Sequence, residues 1–228
     1  MSQKSEEFIK HYLRLNGYFS IDNFIVHAGD DPNRISNGYV GNYTETDILG
    51  IRLPHSTEIS GQLHIANDIQ LIDYQKEKID IIIGEVKTGA ENRPNKVWRK
   101  KEDVAVKEYI LKFIGVLKEN NEILETAKNL SEHFKYENDS VRIRYIIFSE
   151  TENKHYSKCG VTYITYEHIV EFLIKIRGES WMSTNIGVAS LHQQWPSLLN
   201  DIFDIINDHS LETNDQRDEI LKMVSSNK

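Results

Sequence analysis

The chain has 228 residues, 39% of them hydrophobic and 10% aromatic, with a formal charge of −8. This suits one elaborated domain or two small ones with a true core, and the acidic total excludes a general nucleic-acid coat protein. The single cysteine, Cys159, excludes an internal disulfide and a thiolate zinc site, and no apolar run reaches the roughly 20 residues that span a bilayer. The opening MSQKSEEFIKHYL lacks the apolar segment of a secretory signal, so a cytoplasmic protein without a membrane partner is expected. The nine histidines form no helical H-x-x-x-H, and no phosphate-binding glycine loop occurs.

Ser5 to Leu15 predicts a helix from the spacing of Phe8, Ile9, Tyr12, Leu13 and Leu15, with Ser5 as its cap and Gly17 as its stop. Strands are expected over Tyr18 to His27 and Thr44 to Leu53, with a loop between them from Gly29 to Asn42. Gln62 to Tyr74 fits a short helix or a strand. Ile79 to Lys87, read as IDIIIGEVK, is the most apolar strand. A long helix is expected from about Lys100 to Lys118, and a further one over Asn121 to His133. Val141 to Ser149 and Val161 to Thr165 read as strands around a polar loop. Tyr166 to Arg177 reads as an amphipathic helix, with Tyr166 and Tyr163 packing it on the sheet. Trp181 and Trp195 bracket a link into a last helix near Ser197 to Asn207, and the final twenty residues read as a frayed polar tail. The order predicts an α/β domain around a mixed sheet.

Several charged residues do not belong in such strands. Aspartate is depleted in strands, and burying an unpaired carboxylate costs several kcal/mol or shifts its pKa. Yet Asp47 sits mid-strand in TETDILGIR, and Glu85 and Lys87 close the most apolar strand on one shared face. Taken singly, Asp47 fits a wet edge strand, and Glu85 with Lys87 fits a simple ion pair. Together they suggest a cation site. Asp47 and Glu85 with the Val86 carbonyl match the oxygen donors that Mg²⁺ favours. Lys87 beside them would orient a bound water and stabilise a phosphorane-like transition state. Asp80 lies in the same run but faces the other way, about 16 Å along the strand from Glu85.

Asp47 followed by Glu85-Val86-Lys87 resembles the PD-(D/E)xK nuclease superfamily. Over about residues 5 to 165 the resemblance implies the restriction-endonuclease-like fold, a mixed central sheet flanked by helices. It implies a metal-dependent nuclease acting on DNA as an endonuclease, using Mg²⁺ or Mn²⁺. In that family the Asp and Glu hold the metal and the Lys serves catalysis. Members such as the archaeal Holliday-junction resolvases add a glutamate from the first helix. Their E…L…G-aromatic pattern falls on Glu6, Leu13, Gly17 and Tyr18, which makes Glu6 the expected fourth group and Glu7 its rival. The chain departs from the family in the 38 positions between Asp47 and Glu85, which make 55–78 an insertion, and in Thr46 where a proline is common.

Lys87 to Lys112 holds eight bases against four acids. Arg93, Lys96, Trp98, Arg99, Lys100 and Lys101 are the expected nucleic-acid contacts, while Lys107 and Lys112 fit a solvated helix face. Arg142 and Arg144 share one strand face, either wet or turned to substrate. A second E-x-K, Glu152-Asn153-Lys154, falls in a polar loop without chemistry. The expected organisation is a catalytic domain over 1–178 and a helical C-terminal extension over 179–228. A homodimer or a partner subunit is expected, because cutting both strands needs two sites. The alternative is a non-catalytic nuclease-fold subunit that binds or assembles within a nucleic-acid-processing complex.

Overall fold

Ile81 and Ile83 point to one side of their strand and Ile82 and Val86 to the other, and all four are fully buried. Only a strand covered on both faces explains this, and it accounts for the near-continuous apolar run. A computed structural model describes residues 3–27, 42–57, 59–60, 63–64, 66–72, 77–89, 92–101, 103–178 and 196–225. Its strands are β1 (Tyr18–His27), β2 (Asn42–Arg52), β3 (Ile59–Ser60), β4 (Leu63–His64), β5 (Ile79–Lys87), β6 (Lys135–Glu137), β7 (Val141–Ser149) and β8 (Thr162–Thr165). The main sheet runs β1-β2-β5-β7-β6, with β8 beside the far end of β7. β1, β2 and β5 are antiparallel neighbours, whereas β5–β7 and β7–β8 are parallel.

Helices cover both faces. On one lie α1 (Gln3–Leu15), α6 (Tyr166–Phe172), α7 (Ser197–Asn207) and α8 (Thr213–Ser225). Phe8, Ile9, Tyr12 and Leu13 of α1 meet Ile82, Val86, Ile146 and Phe148 there. On the other lie α2 (Lys96–Arg99), α3 (Val104–Ile114) and α4 (Asn120–His133), packed on Leu49, Ile81, Ile83 and Ile147. Each such buried side chain contributes about 1.5–3 kcal/mol. A single turn of helix, α5 (Lys154–Lys158), follows β7, and its Tyr156 packs against this second cluster.

Several expectations are corrected. Ser5 does not cap α1; it lies inside the helix and its hydroxyl donates to the Val224 carbonyl at 2.7 Å. That bond ties α1 to α8, so the frayed tail is instead a packed helix with Ile220 and Val224 fully buried. The long helix over Lys100 to Lys118 is α3 alone, because Lys100 is extended and Gly115 takes the left-handed conformation that ends a helix. The amphipathic helix after Thr165 stays α-helical only to Phe172 and continues as a π-helical turn, Leu173–Gly178. Within Gln62 to Tyr74, β4 pairs with β3, and Leu71 and Ile72 enter the core. The loop from Gly29 to Asn42 lies outside the described residues except for Asn42, and Trp181 and Trp195 lie outside them too. No helix among the described residues is long and apolar enough to cross a membrane.

Arg142 and Arg144 are neither wet nor substrate-facing. Both are buried against Asp80, with Nη2–Oδ2 distances of 2.7 and 2.6 Å. The Tyr18 hydroxyl also donates to Asp80 Oδ2 at 2.6 Å. Burial alone would raise the Asp80 carboxyl, but the two guanidiniums overcome it and hold the group below the usual carboxylate range. Asp80 is therefore a structural anion on the face opposite Glu85.

Candidate active site

The site lies where two paired strands part. β2 and β5 pair in register from Arg52↔Asp80 to Ile48↔Gly84, and there their pairing stops. β2 continues along β1, with Thr46, Glu45 and Thr44 opposite Phe24, Ile25 and Val26. At the fork the Val86 N–H donates to Asp47 Oδ2 at 2.7 Å instead of to a β2 carbonyl. The charges of Glu85 and Lys87 both act on Asp47, so the three side chains share the fork. Asp47 and Glu85 are only 2% exposed.

Glu85 is held from three directions. Its Oε1 forms an ion pair with the Lys87 ammonium, two positions along the same strand face. Its Oε2 accepts from the Asn95 backbone N–H at 3.1 Å and from the Tyr145 hydroxyl. Asn95 also reaches Lys87, whose Nζ donates to Asn95 Oδ1 at 3.1 Å. Sequence reasoning missed both supporting residues. Asn95 carried one usable signal, a cap-forming residue just before a basic helical segment, but its side chain goes to Lys87 and does not cap α2. Tyr145 carried none beyond a hydroxyl inside an apolar strand.

Two buried carboxylates that act on each other, with one ammonium beside them, make an anionic pocket. Burial raises the Asp47 pKa to about 7, with the Glu85 charge adding to the rise and Lys87 and the Val86 N–H opposing it. Burial also raises Glu85, against the pull of Lys87. Glu6 touches this pair through its charge on Asp47. Its pKa is raised by burial and by Glu45 and Asp22, and it is the least of the charges named as acting on Asp47. Glu7, its rival, pairs with His11 at 3.7 Å. Among the described residues no three His, Cys, Asp or Glu side chains gather to hold a metal. A cation bound here would have Asp47 and Glu85 as its carboxylate ligands, within the one or two carboxylates that Mg²⁺ prefers. The raised carboxyls fit it too, because a pair short of positive charge is what a divalent ion would relieve.

The basic segment divides into exposed and buried parts. Arg93, Lys96, Arg99, Lys100 and Lys101 are exposed, and the positive charge of Arg99 acts on Glu85. Lys96 and Lys100 line a cavity of about 580 Å³ with Asn95, Thr44 and Glu45, beside the fork. Trp98 is corrected from a nucleic-acid contact to a packing residue: it is 3% exposed and stacks on Tyr145 at 4.2 Å between centroids. It thereby backs the tyrosine that holds Glu85. Lys107 is not on a solvated face either. It is fully buried, donates to the carbonyls of Val97 (2.8 Å), Asp103 (3.0 Å) and Lys100 (3.4 Å), and lies 5.1 Å from the Trp98 ring centroid. The Val97 carbonyl belongs to the last turn of α2, where a cation is favourable. Lys107→Met keeps the volume and removes every donor, so it is expected to destabilise the fold by about 2–4 kcal/mol in urea denaturation. A neutral result would mean that the ammonium reaches water.

The second E-x-K does other work. Asn153 Oδ1 accepts from the N–H groups of His155 and Tyr156 and so caps α5, while Glu152 and Lys154 are exposed. Comparison with family models, with curated proteins and with solved structures finds no match to this chain.

Proposed function

We propose that this chain is a metal-dependent nuclease of the PD-(D/E)xK type that cuts DNA, with the restriction-endonuclease-like fold. The observation that carries the reading is the burial of Asp47 and Glu85 at the β2/β5 fork, with Asp47 on the Val86 N–H and Lys87 held on Glu85. The topology is consistent with it: a helix, three antiparallel strands, then a helical crossover to a strand parallel to the third. Asp47 and Glu85 would hold Mg²⁺ or Mn²⁺, which supplies charge neutralisation at the scissile phosphate. Glu85 and Asn95 fix the Lys87 ammonium at the mouth of the pocket. There it stabilises the negative charge that grows on a pentacoordinate phosphorus and orients the attacking water. Arg99, Lys96 and Lys100 line the approach and bind the backbone phosphates. Cutting a duplex would need a second copy or a partner subunit.

A binding-only reading draws on one observation: Glu85 is already engaged by Lys87, Asn95 and Tyr145, as in a spent site. One assay separates the two. Plasmid, single-stranded and branched DNA are incubated with Mg²⁺ or Mn²⁺, using the wild type and Lys87→Ala. Cleavage is expected to fall on the order of 10³-fold in the variant while DNA affinity changes little. DNA binding without cleavage under either metal sinks the nuclease reading and leaves the binding subunit.

A further inference from the structure

The sheet face that carries Leu49 and Ile81 is not covered out to its β1 edge. α3 begins beside the C-terminal end of β1, where its cap residue Asp103 lines a cavity with Ile25. It then runs back along the strand and sets Tyr109 and Phe113 against Phe24, with ring centroids at 6.2 and 4.5 Å. Gly115 ends the helix there. Further back along β1, Ile21 and Phe19 stand opposite Leu49 and Ile51 of β2 and so share the face on which those two pack. Among the described residues no helix covers them: Ile21 is 45% exposed and Phe19 69%. Leu53, one step past β2, is 50% exposed, and Phe113 is 54% exposed.

We propose that this uncovered face and the free edge of β1 join a second copy of the chain in a two-fold dimer. The inference stands apart from the metal-site reading. β1 ends the sheet: it pairs with β2, and among the described residues no strand pairs with its other side. The backbone donors and acceptors on that side are open to another strand. Asn23, at φ +50°, interrupts the strand, so the segment free to pair is Tyr18 to Asp22. It holds no lysine and no proline, the usual guards of an edge. Antiparallel pairing of this segment with itself serves both copies at once, because an isologous contact offers the same groups from each side. The two-fold axis then stands perpendicular to the sheet, so the Phe19 and Ile21 side chains of both copies meet on one face.

The area is what such a dimer needs. Phe19, Ile21, Leu53 and Phe113 expose on the order of 400 Å² of apolar surface, in the range where a patch on a monomer is often functional. Interfaces are a little over half apolar, so this patch corresponds to about 700 Å² per copy, close to the roughly 800 Å² of a standard contact. Charge does not oppose the approach. The −8 of the chain is not gathered here: Asp22 is the one acid between Tyr18 and Asp22, and Lys10 offsets it at 2.8 Å. Two copies can therefore meet along β1 without like charges facing each other.

Sedimentation velocity of the whole chain in EDTA without DNA, over about 1–200 μM, tests the proposal. The wild type is expected to pass from monomer to dimer across that range. Phe19→Asp and Ile21→Asp should each weaken the association at least about thirtyfold, as the loss of a central apolar contact does. Both positions are exposed, and a melting temperature equal to that of the dilute wild type shows that each variant is folded. Hydrogen exchange reads the edge itself: the amides of Tyr18 to Asp22 should exchange more slowly in the dimer, and Phe19→Asp should abolish that protection. The proposal is overturned if the wild type stays monomeric, which leaves the patch to a different partner. It is also overturned if the wild type grows past a dimer into open assemblies, if neither variant weakens the dimer, or if exchange in β1 is the same in monomer and dimer.

Discussion

Asp80→Asn is expected to destabilise the fold by about 3–5 kcal/mol, the range for removing one partner from a buried ion pair. The substitution is nearly isosteric, so the loss is electrostatic. Asp80 is 3% exposed and is the shared acceptor for Arg142 and Arg144, with Tyr18 as a third donor. An amide would remove the charge that two buried guanidiniums share. Urea denaturation should show the midpoint falling at an unchanged slope. The same linkage gives a pH dependence. Because the folded pKa of Asp80 is depressed, its contribution is present above the unfolded value of about 3.9 and is lost as pH falls through the folded value. The wild type should therefore lose part of its advantage over the variant in acid below pH 4. A variant as stable as the wild type at pH 7 would show that both arginines find water instead.

Asp47→Asn is expected to act in the opposite direction in metal-free buffer. The Asp47 pKa is raised to about 7, so its ionisation at higher pH works against folding. A raised carboxyl holds its proton in the native state after the unfolded chain has released its own, so stability falls with rising pH between about 4 and 7. Above pH 7 the penalty is complete, at most about 4 kcal/mol for a shift of this size. Replacing the carboxyl with an amide removes it. In EDTA at pH 8 the variant should melt higher, by about 2–4 °C for each kcal/mol recovered, and at pH 4 the two proteins should coincide. Adding Mg²⁺ at pH 8 should reverse the order, because only the wild type gains the binding free energy. A structural aspartate would behave differently: its loss would lower the melting temperature in EDTA, and Mg²⁺ would leave both proteins unchanged. These melts need no substrate.

Asp47, Glu85, Lys87 and most of the sheet were legible because their signals are local. The IDIIIGEVK run encodes its own alternation, so the shared face of Glu85 and Lys87, and the opposite face of Asp80, followed from strand geometry. The apolar spacing of α1 and the glycine that ends it are likewise contained in fifteen consecutive residues. Even Asp47 was conspicuous by itself, as a carboxylate inside an apolar strand.

What escaped the sequence depends on partners far along the chain. Arg142 and Arg144 look like wet-face residues until β7 is laid beside β5, which brings an aspartate 62 and 64 positions away into contact. Lys107 looks like an ordinary helix-face charge, and only the turn of α2 back over α3 buries it among carbonyls. The stripe Gln216, Ile220 and Val224 is too thin to announce a helix, and α8 is held by α1 and α6, which lie far away in sequence. Asn95 and Tyr145 reach Glu85 from a loop and from a neighbouring strand, so nothing near either one signals a carboxylate. Alternation and helical period are fixed by backbone geometry within a few residues, so the sequence alone determined which side chains share a face. Which charges are neutralised, and by whom, is decided by desolvation and long-range contact, and those exist only once the chain has folded.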